Sequence, residues 1–257
     1  MYEAMMIAAT GLQNQQRRLD TIANNVANVN SASYKSARLD FKDALYTAGI
    51  VPARPRTPEG NQQKGHGVMV AGITKDFSAG SFQQTDRPLD AVIEGEGFFE
   101  LGDNDGNTLY TRSGVFEVSA EADGNYLVNS DGLYVHDAGG NRIAVPYGAE
   151  TINFNPDGTI TFIAFEEETT ATLGVYTFRN ITGLLSMGNG TYSESVASGE
   201  KRPAAGAVIR QGAIEGSNVD LAEEMTRLIR TQRTFQLASR ALTTADEMEG
   251  IANNLRR

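Results

Sequence analysis

Apolar residues recur along the first thirty positions with a spacing that fits one face of a helix. Met5, Leu12, Leu19 and Val26 stand seven apart, and Ala8, Gln15, Ile22 and Val29 form a second such series three positions later. Two interleaved seven-residue series make an a/d pattern, which predicts a helix over about residues 3–29. Asn30, Ser31 and Ser33 favour local side-chain-to-backbone turns and predict its end near Asn28–Ser33.

The C-terminal segment mirrors the first. From Asp220 the stripe reads Leu221, Met225, Leu228, Gln232, Phe235, Ala238, Leu242, Ala245, Met248, Ala252 and Leu255, in alternating steps of three and four. Asp220 followed by Glu223 suits a capping box, Glu224 adds negative charge at the positive helix end, and the helix has room for about 35 residues. Gln15 and Gln232 interrupt the two stripes. Each is either a polar core residue that sets register or a position that faces solvent.

Between these segments the period changes from 3.6 to 2. Asp105-Gly106, Asp123-Gly124, Asp131-Gly132, Gly139-Gly140-Asn141, Asp157-Gly158 and Asn189-Gly190 punctuate alternating apolar runs at Gly67–Ile73, Ala91–Leu101, Gly114–Val118, Tyr126–Val128, Leu133–Val135, Ile160–Phe165 and Val175–Phe178. Short strands at this spacing predict a mainly β central domain, an antiparallel sandwich or barrel-like, flanked by long N- and C-terminal helices that pair as a coiled coil. The expected divisions are residues 1–33 for the first assembly helix, 34–66 for an extended connector, 67–210 for the β domain and 211–257 for the last assembly helix. Within the connector, Pro52, Pro55 and Pro58 recur every third residue beside Arg54 and Arg56, as on one edge of a polyproline II segment. Residues 49–65 are either a brace between subunits or a solvated linker.

The terminal stripes pose an energetic problem. Leu221, Met225, Leu228, Phe235, Leu242, Met248 and Leu255 are each worth roughly 1.5–3 kcal/mol when buried, about 10–20 kcal/mol together as an upper bound. That rivals the roughly 5–15 kcal/mol net stability of a whole domain, so something must cover them. The N-terminal stripe covers one side. The flanks Met6, Ala9, Ala23 and Ala27, and Ala222, Ile229, Ala241 and Ile251, are left for a neighbouring subunit or for the β domain.

Charge sharpens this division. Residues 1–64 carry 8 Lys+Arg against 5 Asp+Glu, residues 65–210 carry 8 against 20, and residues 211–257 carry 6 against 7. An acidic middle repels nucleic acid and anionic membrane, so neither nucleic-acid binding nor membrane insertion is expected. The first residues lack the basic start and long apolar run of a secretory signal, so if the protein leaves the cytoplasm it is expected to do so without a cleaved signal peptide.

Candidate chemistry is sparse. The chain has no cysteine, and His66 and His136 are its only histidines. No nucleophile elbow, phosphate loop or H-E-x-x-H sequence is present. Asp103, Asn104, Asp105 and Asn107 lack calcium-loop spacing and read as a hairpin turn. Glu166-Glu167-Glu168 reads as a solvated loop, and Asp90, Glu94 and Glu96 scatter over both faces of a strand. No catalytic residue, metal or cofactor is expected.

Four blocks then carry a resemblance. They are Ala23-Asn24-Asn25-Val26-Ala27-Asn28-Val29-Asn30 with Tyr34-Lys35, Leu89-Asp90-Ala91-Val92-Ile93-Glu94-Gly95-Glu96-Gly97-Phe98-Phe99, Tyr110-Thr111-Arg112-Ser113-Gly114-Val115-Phe116, and Ser217-Asn218-Val219-Asp220-Leu221-Ala222-Glu223-Glu224-Met225. In this order they resemble the signatures of the flagellar rod and hook axial protein family. Length and an uninterrupted central region are most like its distal-rod members, with hook or proximal-rod relatives as the alternative.

The resemblance implies a structural subunit of the bacterial flagellar basal body, not an enzyme. Such a subunit is exported by the flagellar type III apparatus and assembles with copies of itself and other axial proteins into a helical tube. The terminal helices form the inner layer of that tube. The residues expected at subunit interfaces are Met5, Leu12, Gln15, Leu19, Ile22, Val26, Val29, Leu221, Met225, Leu228, Gln232, Phe235, Leu242, Met248 and Leu255. Asn24, Asn25 and Asn28 join them, bonding either between subunits or along the turn, or simply ending the helix. A secreted β-domain enzyme or glycan-binding module with a helical stalk is the competing reading, which clustered exposed aromatics would favour.

Overall fold

The computed structural model describes residues 2–44, 47–48, 63–64, 67–165 and 167–255, and divides the chain into two compact units. One, the helical unit, gathers Met1–Ala27, Ala37–Lys75 and Asp220–Arg257; the other, the β unit, gathers Asn28–Ser36 and Asp76–Val219. The chain is mainly β in its centre with one long helix at each end.

Helix α1 spans Tyr2–Ala27 and helix α2 spans Leu221–Leu255. The first stops where the Asn28 carbonyl accepts the Ser31 amide at 3.1 Å, beginning a turn. The second starts on Asp220, whose Oδ1 accepts the amides of Ala222 at 2.8 Å and Glu223 at 3.1 Å. These bonds satisfy helix-end donors that have no partner within the helix. Glu223 does not close the reciprocal half of a capping box but pairs with Arg227 one turn on.

In the same unit the strands Ala37–Asp43 and Val68–Lys75 form an antiparallel ribbon, with a register shift between Asp40 and Phe41. Thr47–Ala48 pairs with Gln63–Lys64. The ribbon is fastened to α1 by asparagines. Asn25 donates from Nδ2 to the Ala37 carbonyl and accepts the Ala37 amide on Oδ1, both at 2.9 Å, and Asn14 donates to the Val68 carbonyl. The Arg18 guanidinium lies 5.8 Å from the centre of the Phe41 ring. Positions 14, 18 and 25 share one side of a helix, apart from the Leu12–Leu19 stripe. The proline-rich residues 49–62 and residue 65 of the expected connector lie outside the described residues, as does His66.

The β unit is antiparallel throughout its described strand pairs. Its largest sheet has ten strands, centred on Phe98–Gly102 between Tyr134–Val135 and Thr108–Thr111. A three-stranded meander follows, Ala149–Phe154, Thr159–Ala164 and Glu167–Thr172. The expected run Ala91–Leu101 is two strands, Ala91–Glu94 and Phe98–Gly102, parted at Gly95, which takes a φ of 109° that favours glycine.

Strand alternation then sorts the neighbouring phenylalanines into different cores. Phe99 joins Ile93, Leu101, Phe116, Leu127, Ile160 and Phe162. Phe98 joins Tyr110, Tyr176, Phe178 and Tyr192, in edge-to-face contacts such as Phe98–Tyr192 at 5.7 Å and Tyr110–Phe178 at 4.8 Å. Gly114 lets the chain pass close to the first core: a Cβ there would stand 1.6 Å from the Ala91 carbonyl oxygen.

Candidate assembly interface

Helix α2 packs against α1; with Arg227 and Ser239 half-buried at the edge, its inward line runs through Glu224, Leu228, Thr231, Phe235, Ala238, Leu242 and Ala245. Their steps of four and three define a seam that shares Leu228, Phe235, Ala238, Leu242 and Ala245 with the stripe expected from sequence. The stripe differs at four positions: Glu224 and Thr231 turn inward in place of Met225 and Gln232, and Leu221 and Met248 are exposed. Both polar residues bring partners that make this possible. Glu224 Oε1 accepts Arg227 Nη1 at 2.8 Å, and the Thr231 hydroxyl donates to the Arg227 carbonyl at 2.8 Å.

As a result Leu221, Met225 and Ile229, spaced four apart, face outward as one apolar ridge, with Ile229 at 50% exposure. Further along, Leu237 at 66%, Met248 and Ile251 at 60% are also exposed. Gln232 faces solvent. Leu255 is the last residue of α2.

On α1 the expected stripe faces inward as a whole. Met5, Leu12, Gln15, Leu19 and Val26 are half-buried and Ile22 is buried. Gln15 Oε1 and Glu224 Oε2 are buried without a hydrogen-bond partner among the described residues. Outside the stripe, Met6 and Ile7 are exposed. The asparagines separate: Asn25 is buried in its own chain's ribbon contact, Asn24 is exposed, and Asn28 and Val29 lie half-buried in the turn that belongs to the β unit.

The β unit contains a charged cluster that sequence patterning did not single out. Glu215 ends the strand Ala213–Glu215, and its carboxylate is fully buried. Oε1 accepts Lys35 Nζ at 2.8 Å and the Gly80 amide at 2.9 Å; Oε2 accepts Arg112 Nε at 2.8 Å. Lys35 also donates to the Ser78 carbonyl at 2.7 Å, and Arg112 to the carbonyls of Gly97 at 2.7 Å and Gly95 at 2.6 Å. Ser33 donates its amide to the Glu215 carbonyl at 2.7 Å.

Burial alone would raise the Glu215 carboxyl, but the Lys35 hydrogen bond, the Arg112 charge and the Gly80 amide hold it below the usual carboxylate range. Two cations thus share one anion, and residues far apart in the chain are tied to one point. Lys35, Arg112 and Glu215 stand beside or within the quoted sequence blocks. Their pairing links positions 180 and 103 residues apart, which no local pattern encodes.

The described residues contain no group of three His, Cys, Asp or Glu side chains able to hold a metal, and no helix long and apolar enough to cross a membrane.

Three family models match this chain in order. Residues 5–35 match the flagella basal body rod protein model, residues 92–162 the D1 domain of the flagellar hook protein FlgE/F/G, and residues 210–255 the C-terminal region of the flagellar basal body rod FlgEFG proteins. The chain is 36% identical to the flagellar basal-body rod protein FlgG of Agrobacterium fabrum, over 97% of this chain and 98% of that protein. It is 35% identical to the FlgG proteins of Borreliella burgdorferi and Bacillus subtilis, each over the full length of both chains. The chain belongs to the flagellar basal-body rod protein family.

As a rod-family protein it is a structural component of the flagellum. The first match covers most of α1 and the turn after it, the central match falls in the β unit, and the third runs from the last strands of the β unit through α2. Arg112 lies inside the central match, Lys35 closes the first, and Glu215 lies within the third, so the buried ionic cluster draws one residue from each matched region.

Proposed function

We propose that this rod protein is a non-enzymatic subunit of the distal rod that polymerises through the outward faces of α1 and α2. The supporting observation is the apolar ridge that α2 presents outward. Leu221, Met225 and Ile229 stand one turn apart on the face of α2 turned away from its seam with α1, and Leu237, Met248 and Ile251 are exposed further along the same helix.

On this reading α1 and α2 pair as a coiled coil along the Leu12–Leu19–Ile22 and Leu228–Phe235–Leu242 seams, and copies of the chain cover the remaining flanks. A heterologous contact that does not close on itself produces a helical filament. The neighbours are copies of the chain and other axial proteins of rod and hook, reached through the flagellar export apparatus without a cleaved signal. The site residues expected from sequence divide accordingly: the half-buried seam residues position the helix pair, and Leu221, Met225 and Met248 make contacts between subunits. Full-length similarity to FlgG proteins supports the distal-rod position over hook or proximal-rod alternatives.

The test is the double exchange Met225→Glu and Ile229→Glu in the full chain. Both sites face solvent in the single subunit, so its melting profile is expected to stay within about 1 kcal/mol of the parent. Filament formation, followed by sedimentation and electron microscopy, is expected to be lost. Filaments of normal yield from the doubly charged variant would defeat the proposal.

A further inference from the structure

Methionine is the one sulfur-bearing residue type in this protein. The chain has seven Met, no Cys and no Trp. Neither apolar core of the β unit contains a thioether. On the helices Met6 is 56% exposed, Met225 41% and Met248 54%; off them, Met69 is 52% exposed on the ribbon beside α1 and Met187 63% on the surface of the β unit. Unbranched, polarisable methionine adapts to irregular contacts and suits a surface that must pack against a neighbour. The same side chain is the residue most open to two-electron oxidation when thiols are absent.

We propose that Met6, Met225 and Met248 are three peroxide-sensitive positions on the assembly surfaces, and that their conversion to sulfoxide stops subunit association while the β unit stays folded. The proposal rests on the reading of α1 and α2 as assembly surfaces. In the reaction the sulfur lone pair attacks one oxygen of a hydroperoxide, the O–O bond breaks and an S–O bond forms. The other oxygen leaves as water, or as an alcohol from an organic peroxide, after proton transfer. Sulfur is oxidised by two electrons and the peroxide is reduced by two.

The product carries a strong acceptor oxygen on a side chain that would otherwise enter an apolar contact. Packed against a neighbour's Leu or Ile, that oxygen has no donor to satisfy it. The cores feel nothing, because they hold no sulfur. The absence of methionine from both cores therefore makes association, not folding, the step that senses peroxide.

The experiment treats the full-length subunit with hydrogen peroxide before assembly. Sulfoxides are located by peptide mass spectrometry, folding is followed by circular dichroism melting, and association by sedimentation. The expected result is one added oxygen at each of Met6, Met225 and Met248, and also at the exposed Met69 and Met187, with an unchanged melt of the β unit and a fall in association on the order of tenfold or more. Methionine sulfoxide reductase is expected to restore association, and the variant M6L/M225L/M248L to associate equally with and without peroxide.

Oxidised wild-type protein that associates within about twofold of the untreated protein would overturn the proposal. So would equal inhibition of the leucine variant, which would move the lesion to Met69 or Met187. Untreated protein that never associates would instead strike the assembly reading itself, and the proposal with it.

Discussion

Replacing Glu215 by glutamine removes the single anion from a buried cluster that contains two cations. The carboxylate lies 2.8 Å from both Lys35 Nζ and Arg112 Nε, and the side chains of Lys35 and Glu215 have no exposed surface. At an effective dielectric of about 20, each contact carries roughly 6 kcal/mol of attraction, most of it offset by the cost of taking the charges out of water. What survives as a measurable loss when one partner of a buried pair is removed is about 3–5 kcal/mol. Lys35→Met makes the informative contrast. It leaves Arg112 and Glu215 as a neutral pair and forfeits mainly the hydrogen bonds of the ammonium, a loss of about 1–3 kcal/mol.

Urea unfolding at neutral pH is the assay. It is followed by tyrosine near-ultraviolet circular dichroism, because Tyr110, Tyr176 and Tyr192 are packed in the β unit. The Glu215→Gln transition midpoint is expected to fall well below that of Lys35→Met. A Glu215→Gln loss under about 1 kcal/mol, or one smaller than that of Lys35→Met, would refute the claim that one carboxylate balances two buried charges.

Other outcomes follow from the same structure. Asn25→Ala removes both bonds to the Ala37 peptide, and is expected to lower the stability of the helical unit by about 2–4 kcal/mol and to speed amide exchange in the Ala37–Asp43 strand. Gly114→Ala places a Cβ 1.6 Å from the Ala91 oxygen and beside the Phe99 ring, so soluble folded protein is expected to be lost, as judged by yield and circular dichroism. The depressed Glu215 carboxyl makes a stabilising contribution that is complete above the ordinary carboxylate range near pH 4.3 and fades as pH falls through the lower folded value. A stability–pH series is therefore expected to fall on the acid side of pH 4–5, and to fall less steeply in Glu215→Gln.

Much of the architecture is legible in the chain because it rests on short-range periodicity. The seven-residue series at Met5–Val26 and the stripe after Asp220 give α1 and α2 nearly to the residue, and Asn189-Gly190, with φ values of 47° and 71°, is the left-handed turn its sequence calls for. The fine choice of seam on α2 was not legible. Hydrophobicity favours Met225 over Glu224, yet Glu224 turns inward because Arg227, three residues on, supplies its counter-charge. The roles of Asn25 and Asn14 were hidden for a similar reason. A polar residue in a helix reads as a terminator or a surface group until its partner, the Ala37 peptide or the Val68 carbonyl, is known. The Lys35–Arg112–Glu215 cluster was beyond reach altogether, since its members are ordinary charges in sequence and meet only through the fold of the β unit.

Hydrogen–deuterium exchange of the full chain, compared between the free subunit and the assembled filament, tests the central claim most directly. The account predicts that the amides of α1 and α2 exchange readily in the free subunit and become strongly protected on assembly, while the strands around Phe98 and Phe99 change little. Protection that appears in the β unit and leaves the outward ridge of α2 exchanging as before would contradict it.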